Sequence, residues 1–176
     1  LQTAGANRVL TMTLHSPQVH GFFNVPVDHL NALTVLARYF REKQALDNTI
    51  VVSPDLGNAK TAATLARLLK TPVAAGSKRR LSDDRVIIDT IVGDVEGKDV
   101  IVLDDEIATG GTLIELFDRL RDRGARRISV ACTHGLFTGK AIARLGARAD
   151  LDEIVTTNTV PIPPEKRNPK PTVLAL

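Results

Sequence analysis

Short apolar runs alternate along this chain with segments whose apolar residues recur at helical spacing. Residues 100–103, Val-Ile-Val-Leu, are apolar at every position, which is typical of a strand covered on both faces in a parallel sheet. In contrast, residues 111–123 carry apolar side chains at spacings of 3, 1 and 3 from Leu113 to Leu120, which predicts one face of a helix. Because strands and helices alternate, we predict an α/β fold with a mostly parallel sheet flanked by helices on both faces.

The same patterns set the expected order of elements. We predict strands over residues 8–14, 49–53, 72–75, 85–92, 99–103, 127–132 and 153–157, and helices over 29–43, 58–70, 111–123 and 140–148. No helical pattern separates the strand predicted at 85–92 from the strand predicted at 99–103. We therefore expect the strand at 85–92 to be the antiparallel exception in the sheet. The segment after Thr159 contains five prolines and little periodicity, which predicts a loop or a loosely packed extension.

Length and composition exclude several classes of protein. The chain has 176 residues, the size of one ordinary domain. Its single Cys excludes a disulfide framework and a thiolate zinc site. A net charge of +3 with mostly dispersed basic residues does not predict nucleic-acid binding, and no apolar stretch approaches the roughly 18 residues of a membrane span.

Two segments resemble each other at an offset of 119 residues. Residues 5–15 and 124–134 share Gly, Ala, Arg and His at equivalent positions. Each predicts a glycine at a helix end, then a strand, then a histidine (His15 and His134) at the carboxyl end of the strand. One interpretation is that Gly-Ala-x-Arg is a common exit from a helix. The other is a duplicated domain whose first copy is mostly missing, which agrees with a sequence that starts at Leu1 without an initiator Met.

Residues 102–112 carry the strongest indication of a site. An apolar strand ends in Asp104 and Asp105, and a Thr-Gly-Gly-Thr turn at 109–112 leads into a helix. Backbone N–H groups of such a turn bind phosphate at a helix N-terminus, and the glycines allow close approach. Carboxylates would repel phosphate but accept hydrogen bonds from sugar hydroxyls. The segment therefore predicts a ribose 5-phosphate site at the carboxyl ends of the strands; the alternative is a plain strand–turn–helix capped by threonine.

This segment also gives the chain a resemblance to a known family. The pattern Asp104-Asp105-x-x-x-Thr109-Gly110-Gly111-Thr112 resembles the phosphoribosyl-diphosphate motif of type I phosphoribosyltransferase folds. Further matches resemble the ribose-phosphate pyrophosphokinases, also called PRPP synthetases. They lie at residues 14–15, 21–28, 51–60, 78–80, 93–97, 131–137 and 157–159.

The resemblance implies an activity and its residues. The family transfers a diphosphoryl group from ATP to the 1-hydroxyl of ribose 5-phosphate with Mg²⁺, which forms PRPP for nucleotide biosynthesis and releases AMP. Lys78 and Arg80 match the catalytic residues on a flexible loop, and His15 and Asp55 match the metal ligands. The residues implied to bind ribose 5-phosphate are Asp104, Asp105, Ala108, Thr109, Gly110, Gly111 and Thr112.

The resemblance further implies a domain organisation and a setting. Residues 1–28 correspond to the remnant of a truncated N-terminal domain, 29–160 to a C-terminal phosphoribosyltransferase-like domain, and 161–176 to a Pro-rich tail. We therefore expect the chain to be incomplete for ATP binding. The family implies a cytoplasmic homo-oligomer with phosphate or ADP as effectors and neither nucleic acid nor membrane as a partner.

A few positions depart from the family pattern. Ala108 stands where an acidic or hydroxyl residue is usual, Thr13 where Asp is usual, and His20 and His29 where amides are common. Two alternative functions stay open. One is a non-catalytic, synthetase-like regulatory subunit, which the loss at Ala108 favours. The other is a phosphoribosyltransferase that uses PRPP, which would need an additional hood to recognise its acceptor.

Overall fold

The computed structural model describes residues 1–43, 45–82, 85–166 and 171–176, with the backbone only for 78–82, 85–89 and 165. Within these residues the strands are β1 (Val9–Met12), β2 (Val27–Leu30), β3 (Thr49–Ser53), β4 (Val73–Ser82), β5 (Arg85–Val92), β6 (Asp99–Ile107), β7 (Arg127–Gly135), β8 (Leu151–Thr157) and β9 (Pro171–Leu174). The helices are α1 (Leu33–Lys43), α2 (Ala59–Leu69), α3 (Gly111–Asp122) and α4 (Ala141–Gly146).

Seven strands form one sheet in the order β5-β4-β3-β6-β7-β8-β9. Every neighbouring pair is parallel except β4 and β5, which are antiparallel. This confirms both the mostly parallel sheet and its antiparallel exception. Strands β1 and β2 pair in parallel with each other in a separate two-stranded sheet.

The helices cover both faces of the large sheet, as the apolar pattern predicts. Ile50 and Val52 of β3 pack in a core with α3 and α4, whereas Val51 between them packs in a second core with α1 and α2. Successive side chains of a strand point to opposite faces, so a continuously apolar strand supplies both cores. In the part of the chain that the structure describes, no helix is long and apolar enough to cross a membrane.

The strand order creates a crevice at the middle of the sheet. From β3 the chain passes through α2 to β4 on one side, and from β6 it passes through α3 to β7 on the other. The carboxyl ends of β3 and β6 therefore lie at a topological switch point, where open α/β sheets bind ligands. Asp55 follows β3, while Asp104 and Asp105 belong to β6.

The predicted helix over 29–43 begins too early. His29 and Leu30 belong to β2, where they pair with Thr11 and Met12 of β1, and α1 starts only at Leu33. The Asn31 side chain accepts the Leu33 N–H at 3.2 Å, so a local polar contact sets the helix start. The proposed boundary between residues 28 and 29 consequently falls inside a strand.

The Pro-rich tail is more ordered than the sequence predicts. Residues 171–174 form β9, which pairs in parallel with β8 and extends the large sheet, so the expectation of a loop there is wrong. Proline is tolerated at the first residue of an edge strand because its missing N–H leaves no central ladder bond unmade. Pro171 occupies that position.

Strand β4 is also longer than predicted. It continues past Ala75 to Ser82 and pairs with β5, with Lys78 opposite Ile88 and Arg80 opposite Val86. The two positions expected on a flexible loop therefore lie along a β-hairpin. Residues 83–84, between its strands, lie outside the described residues.

Candidate active site

The acidic pair predicted at the end of β6 lies within that strand, which continues to Ile107. β6 continues beside β7, with Asp104 opposite Cys132 and Glu106 opposite His134. The Asp104 carboxylate accepts the N–H of Asp105 at 3.0 Å, and the Asp105 carboxylate accepts the N–H of Glu106 at 3.0 Å. These local bonds hold both carboxylates at the carboxyl end of the strand.

The turn after β6 presents the N-terminus of α3. Gly110, the residue before the helix, has a φ of 72° in the left-handed region, a conformation that glycine adopts at little cost. The Ile114 N–H donates to Gly110 O at 3.1 Å. The N–H groups of the first turn have no acceptor within a helix. Because that turn also lacks acidic side chains, it favours an anion.

A neighbouring loop fixes the conformation of this turn. The N–H groups of Phe137 and Thr138 donate to the carbonyl oxygens of Ile107 and Ala108 at 2.9 and 3.0 Å. Phe137 is fully buried and has a φ of 46°. These two hydrogen bonds hold the backbone at the start of the turn against the loop after β7.

Asp55 lies at the turn between β3 and α2. Its Oδ1 accepts the Asn58 N–H at 3.1 Å, while its own carbonyl accepts the Ser53 hydroxyl at 2.6 Å. Asn58 Nδ2 donates to Leu103 O at 3.1 Å, which ties this turn to β6. The half-buried Asp55 carboxylate therefore has a fixed place beside the acidic pair.

His15 reaches the same place from the smaller sheet. Its Nδ1 lies 2.5 Å from Oδ2 of Asp105. This hydrogen bond, with the negative charge of Asp105, raises the pKa of His15 above its ordinary value. The contact joins residues that are ninety positions apart in sequence. Since Nδ1 faces Asp105, Nε2 is the nitrogen that remains for a ligand.

The position of Asp104 near the buried end of β6 raises the pKa of its carboxyl group. Burial, then the hydrogen bond and the charge of Asp105, raise the pKa of Asp104 to about 7, and the charge of Asp55 acts in the same direction. Carboxylates this close disfavour one another's charged form. A bound cation or sugar hydroxyl would stabilise the charged form, so the arrangement suits a polar ligand.

Two adjoining cavities enclose these groups. The first, here called the phosphate cavity, measures about 210 Å³ and is lined by the whole 104–113 segment together with His15 and Asp55. The second, the adjacent cavity, measures about 360 Å³ and extends toward Pro17, Asn58 and Thr61. Both cavities share one wall, which consists of His15, Asp55, Asp104 and Asp105.

The donor set in the shared wall fits a hard cation held partly by its ligands. Among the described residues, no three His, Cys, Asp or Glu side chains are close enough to form a complete metal site. Mg²⁺ commonly takes only one or two carboxylates and completes its shell with water and substrate phosphates. A ligand histidine usually pairs its other nitrogen with a carboxylate, as His15 does with Asp105.

The structure places most of the predicted site residues in one cavity but does not describe the side chains of two of them. His15, Asp55, the acidic pair and all of residues 108–112 line one cavity. The side chains of Lys78 and Arg80 lie outside what the structure describes. Sequence reasoning missed Glu106 in the phosphate cavity and Thr61 in the adjacent one. Thr61 lies only six residues after Asp55, on the first turn of the predicted helix, and that proximity was the available signal.

A glycine turn that leads into a helix N-terminus, at the switch point of an open, mostly parallel sheet, is an arrangement with which α/β proteins bind phosphate. The fold is shared with a purine phosphoribosyltransferase from Pyrococcus horikoshii, at a TM-score of 0.51 and 20% identity, over 97% of this chain and 89% of that one.

The model of the phosphoribosyl synthetase-associated domain matches residues 78–171. The chain belongs to this family. A crystal structure of phosphoribosylpyrophosphate synthetase from Mycobacterium smegmatis superposes with a TM-score of 0.89 at 40% identity, covering 99% of this chain and 56% of that one. A Streptomyces coelicolor protein named as a candidate ribose-phosphate pyrophosphokinase is 60% identical over the whole chain and 55% of its own length. The chain thus spans about half the length of the relatives it matches.

Proposed function

We propose that this chain forms the ribose 5-phosphate half of a ribose-phosphate diphosphokinase active site. The complete enzyme would transfer a diphosphoryl group from ATP to the 1-hydroxyl of ribose 5-phosphate, forming PRPP and releasing AMP. The observation that carries the proposal is the phosphate cavity, in which the glycine turn at the N-terminus of α3 lies beside the carboxylates of Asp104 and Asp105. Similarity to PRPP synthetases supports it.

In this proposal the phosphate cavity orients the sugar. The 5-phosphate binds the N–H groups of residues 109–112 and the hydroxyls of Thr109 and Thr112, at the positive end of α3. Asp104 and Asp105 accept hydrogen bonds from ribose hydroxyls. Ala108 contributes only its backbone, because its methyl side chain can neither donate nor accept a hydrogen bond.

The polyphosphate of ATP would lie on the other side of the shared wall, in the adjacent cavity. His15 and Asp55 would hold Mg²⁺ there together with water and phosphate oxygens. Mg²⁺ would neutralise negative charge on the transferring group. We propose that Lys78 and Arg80, carried on the β4–β5 hairpin, stabilise the charge that accumulates on the phosphoryl oxygens as the transfer proceeds. ATP contacts beyond this chain would complete the site.

The first test measures binding to the chain itself. Isothermal titration calorimetry with ribose 5-phosphate should give a defined affinity for the wild type and at least about tenfold weaker affinity for Asp104→Asn, as expected when a charge-assisted hydrogen bond is lost. Asp122→Asn is the control, because its exposed carboxylate lies at the far end of α3 and carries the same charge change. Equal affinity in all three proteins would remove the role of Asp104 in hydroxyl binding.

The second test measures turnover in the complete gene product, with whatever residues precede Leu1. AMP release from ATP should depend on ribose 5-phosphate. Lys78→Ala should lower kcat by about a hundredfold or more, whereas the neighbouring Arg79→Ala should change it little. Sugar-phosphate binding without any turnover would instead favour the non-catalytic regulatory subunit. Turnover that survives Lys78→Ala would contradict its catalytic assignment.

A further inference from the structure

His134 forms an unusual bridge between the two sheets. It lies at the carboxyl end of β7, and its Nε2 is 3.0 Å from the carbonyl oxygens of both Met12 and Thr13. Its Nδ1 is 2.9 Å from Oγ1 of Thr159. Met12 ends β1, so one imidazole ring ties the smaller sheet to the larger one.

The direction of these hydrogen bonds follows from the partners. A carbonyl oxygen can only accept, so Nε2 must carry a proton, which it shares between two acceptors as a bifurcated donor. Thr159 is fixed in turn, because its hydroxyl also lies 2.9 Å from the carbonyl oxygen of Thr133. The ring is thereby held in one orientation by the ends of β7 and β8.

The backbone of Met12 and Thr13, to which His134 is hydrogen-bonded, has a constrained conformation. Thr13 has a φ of 44°, in the left-handed region, which is uncommon for a β-branched residue. Its N–H donates to Leu30 O at 2.8 Å, and the next N–H, of Leu14, donates to Nε2 of His29 at 3.1 Å. The β2 side satisfies the N–H groups of this turn, and His134 satisfies its carbonyl groups.

This turn decides where His15 points. His15 follows it by two residues, and its side chain is 77% exposed, so packing alone does not fix it. Within the described residues, the hydrogen bond to Asp105 of β6 holds the His15 side chain. That bond requires the backbone of residues 12–14 to be held against the large sheet, and among the described residues His134 makes two of the polar contacts that do so.

We infer that His134 is a positioning residue: its Nε2–H fixes the Met12–Thr13 turn and so sets the place of His15 beside Asp105. It is not among the residues that line the two cavities. The inference deepens the proposed function and rests on it only where His15 is taken to hold a cation. That His134 orders the turn is a separate claim with its own measurement.

The test compares two amide replacements of His134 in the 176-residue chain. The amide nitrogen of His134→Gln reaches approximately as far as Nε2 and can still donate to the two carbonyls, whereas His134→Asn reaches only as far as Nδ1. Amide hydrogen exchange by NMR at Thr13 and Leu14 reports on the turn, because these N–H groups bond to β2 and not to His134. We expect exchange at least about fivefold faster in His134→Asn and near wild type in His134→Gln.

Cation binding gives the second measurement. The affinity for Mn²⁺, measured by electron paramagnetic resonance, should fall about tenfold in His134→Asn and stay near wild type in His134→Gln. Leu69→Ala, a buried substitution in α2 on the other core, controls for general destabilisation and should leave both measurements unchanged. If His134→Asn does not fold, Thr159→Val frees Nδ1 instead and should shift both measurements in the same direction.

The outcomes separate this inference from the proposed function. Unchanged exchange at Thr13 and Leu14 in His134→Asn, or equal behaviour of the Gln and Asn variants, overturns the inference. Faster exchange with unchanged Mn²⁺ affinity also overturns it, provided that His15→Ala weakens Mn²⁺ binding. If His15→Ala leaves Mn²⁺ binding intact, the cation role of His15 fails, and the exchange rates alone decide whether His134 holds the turn.

Discussion

Gly110 offers the sharpest test of the backbone conformation of the turn at residues 109–112. Its φ of 72° lies in the left-handed region, which costs a residue with a Cβ about 1–2 kcal/mol. A Cβ placed there would lie 3.3 Å from Cδ1 of Leu145, a fully buried residue. That contact requires a shift of a few tenths of an ångström, for which we add up to about 1 kcal/mol. We therefore expect Gly110→Ala to lower the free energy of unfolding by about 1–3 kcal/mol.

Gly111 supplies a matched control one residue later. It is the first residue of α3, and the atom of the described residues that a Cβ there would meet within 4 Å is the Thr109 hydroxyl oxygen, at 3.9 Å. Alanine at a helical position is favoured over glycine by about 0.5–1 kcal/mol. Gly111→Ala should consequently leave the stability unchanged or raise it slightly, although both variants make the same chemical change.

Urea unfolding followed by circular dichroism measures both variants, and thermal melting provides a check. A loss of about 1–3 kcal/mol corresponds to a Tm lowered by about 2–12 °C for a chain of this size. Inorganic phosphate should stabilise the wild type through binding to the native state and should stabilise Gly110→Ala less. Equal stabilities of the Gly110→Ala and Gly111→Ala variants would refute the assigned backbone conformation.

Three further predictions concern the scaffold. Gly135→Ala should destabilise the fold by about 1–3 kcal/mol in urea unfolding, because its Cβ would lie 2.4 Å from the Phe137 ring; no loss would contradict that packing. Asp99 accepts hydrogen bonds from Arg126 and Arg127, which lower the pKa of Asp99. The stability that these bonds contribute to the fold is therefore present above the pKa of an unfolded Asp and is lost as pH falls below about 4. Asp99→Asn should flatten that acid-side slope, and an unchanged slope would exclude Asp99 as its source. Burial raises the pKa of the Cys132 thiol to about 12, so a thiol reagent should label it only as the protein unfolds; rapid native labelling would disprove its burial.

Local pattern was sufficient to predict every strand of the large sheet except β9. The limits of β3 are those of the predicted strand, because five consecutive buried residues are followed at once by Pro54 and a turn. The start of α3 was predicted at Gly111 and is found there, since the glycines and the apolar spacing change together. The turn of the candidate site could also be predicted, because it is formed by residues adjacent in sequence.

The errors have one physical origin in long-range pairing. Residues 171–174 form a short segment that begins with proline, so no local pattern marks β9; it becomes a strand because the edge of β8 offers a ladder of backbone partners. Likewise, His29 carries no sign that it belongs to β2, which exists through its register with β1. Intrinsic preference at such positions is weak, and tertiary pairing decides.

The repeated Gly-Ala-x-Arg segments show why equal sequence does not give equal roles. His15 and His134 occupy the same position in the two segments, each after a strand. Strand β7 has β6 and β8 as neighbours, so the ring of His134 meets the ends of other strands and is held by them. Strand β1 has only β2 beside it within the described chain, and His15 extends toward the cavity with most of its side chain exposed. A histidine held on both nitrogens can fix a neighbouring backbone, whereas one held on a single nitrogen keeps the other for a ligand. The number of strands beside each histidine therefore leaves His15 exposed at the cavity and His134 held on both nitrogens, and our two proposals for these residues rest on that difference.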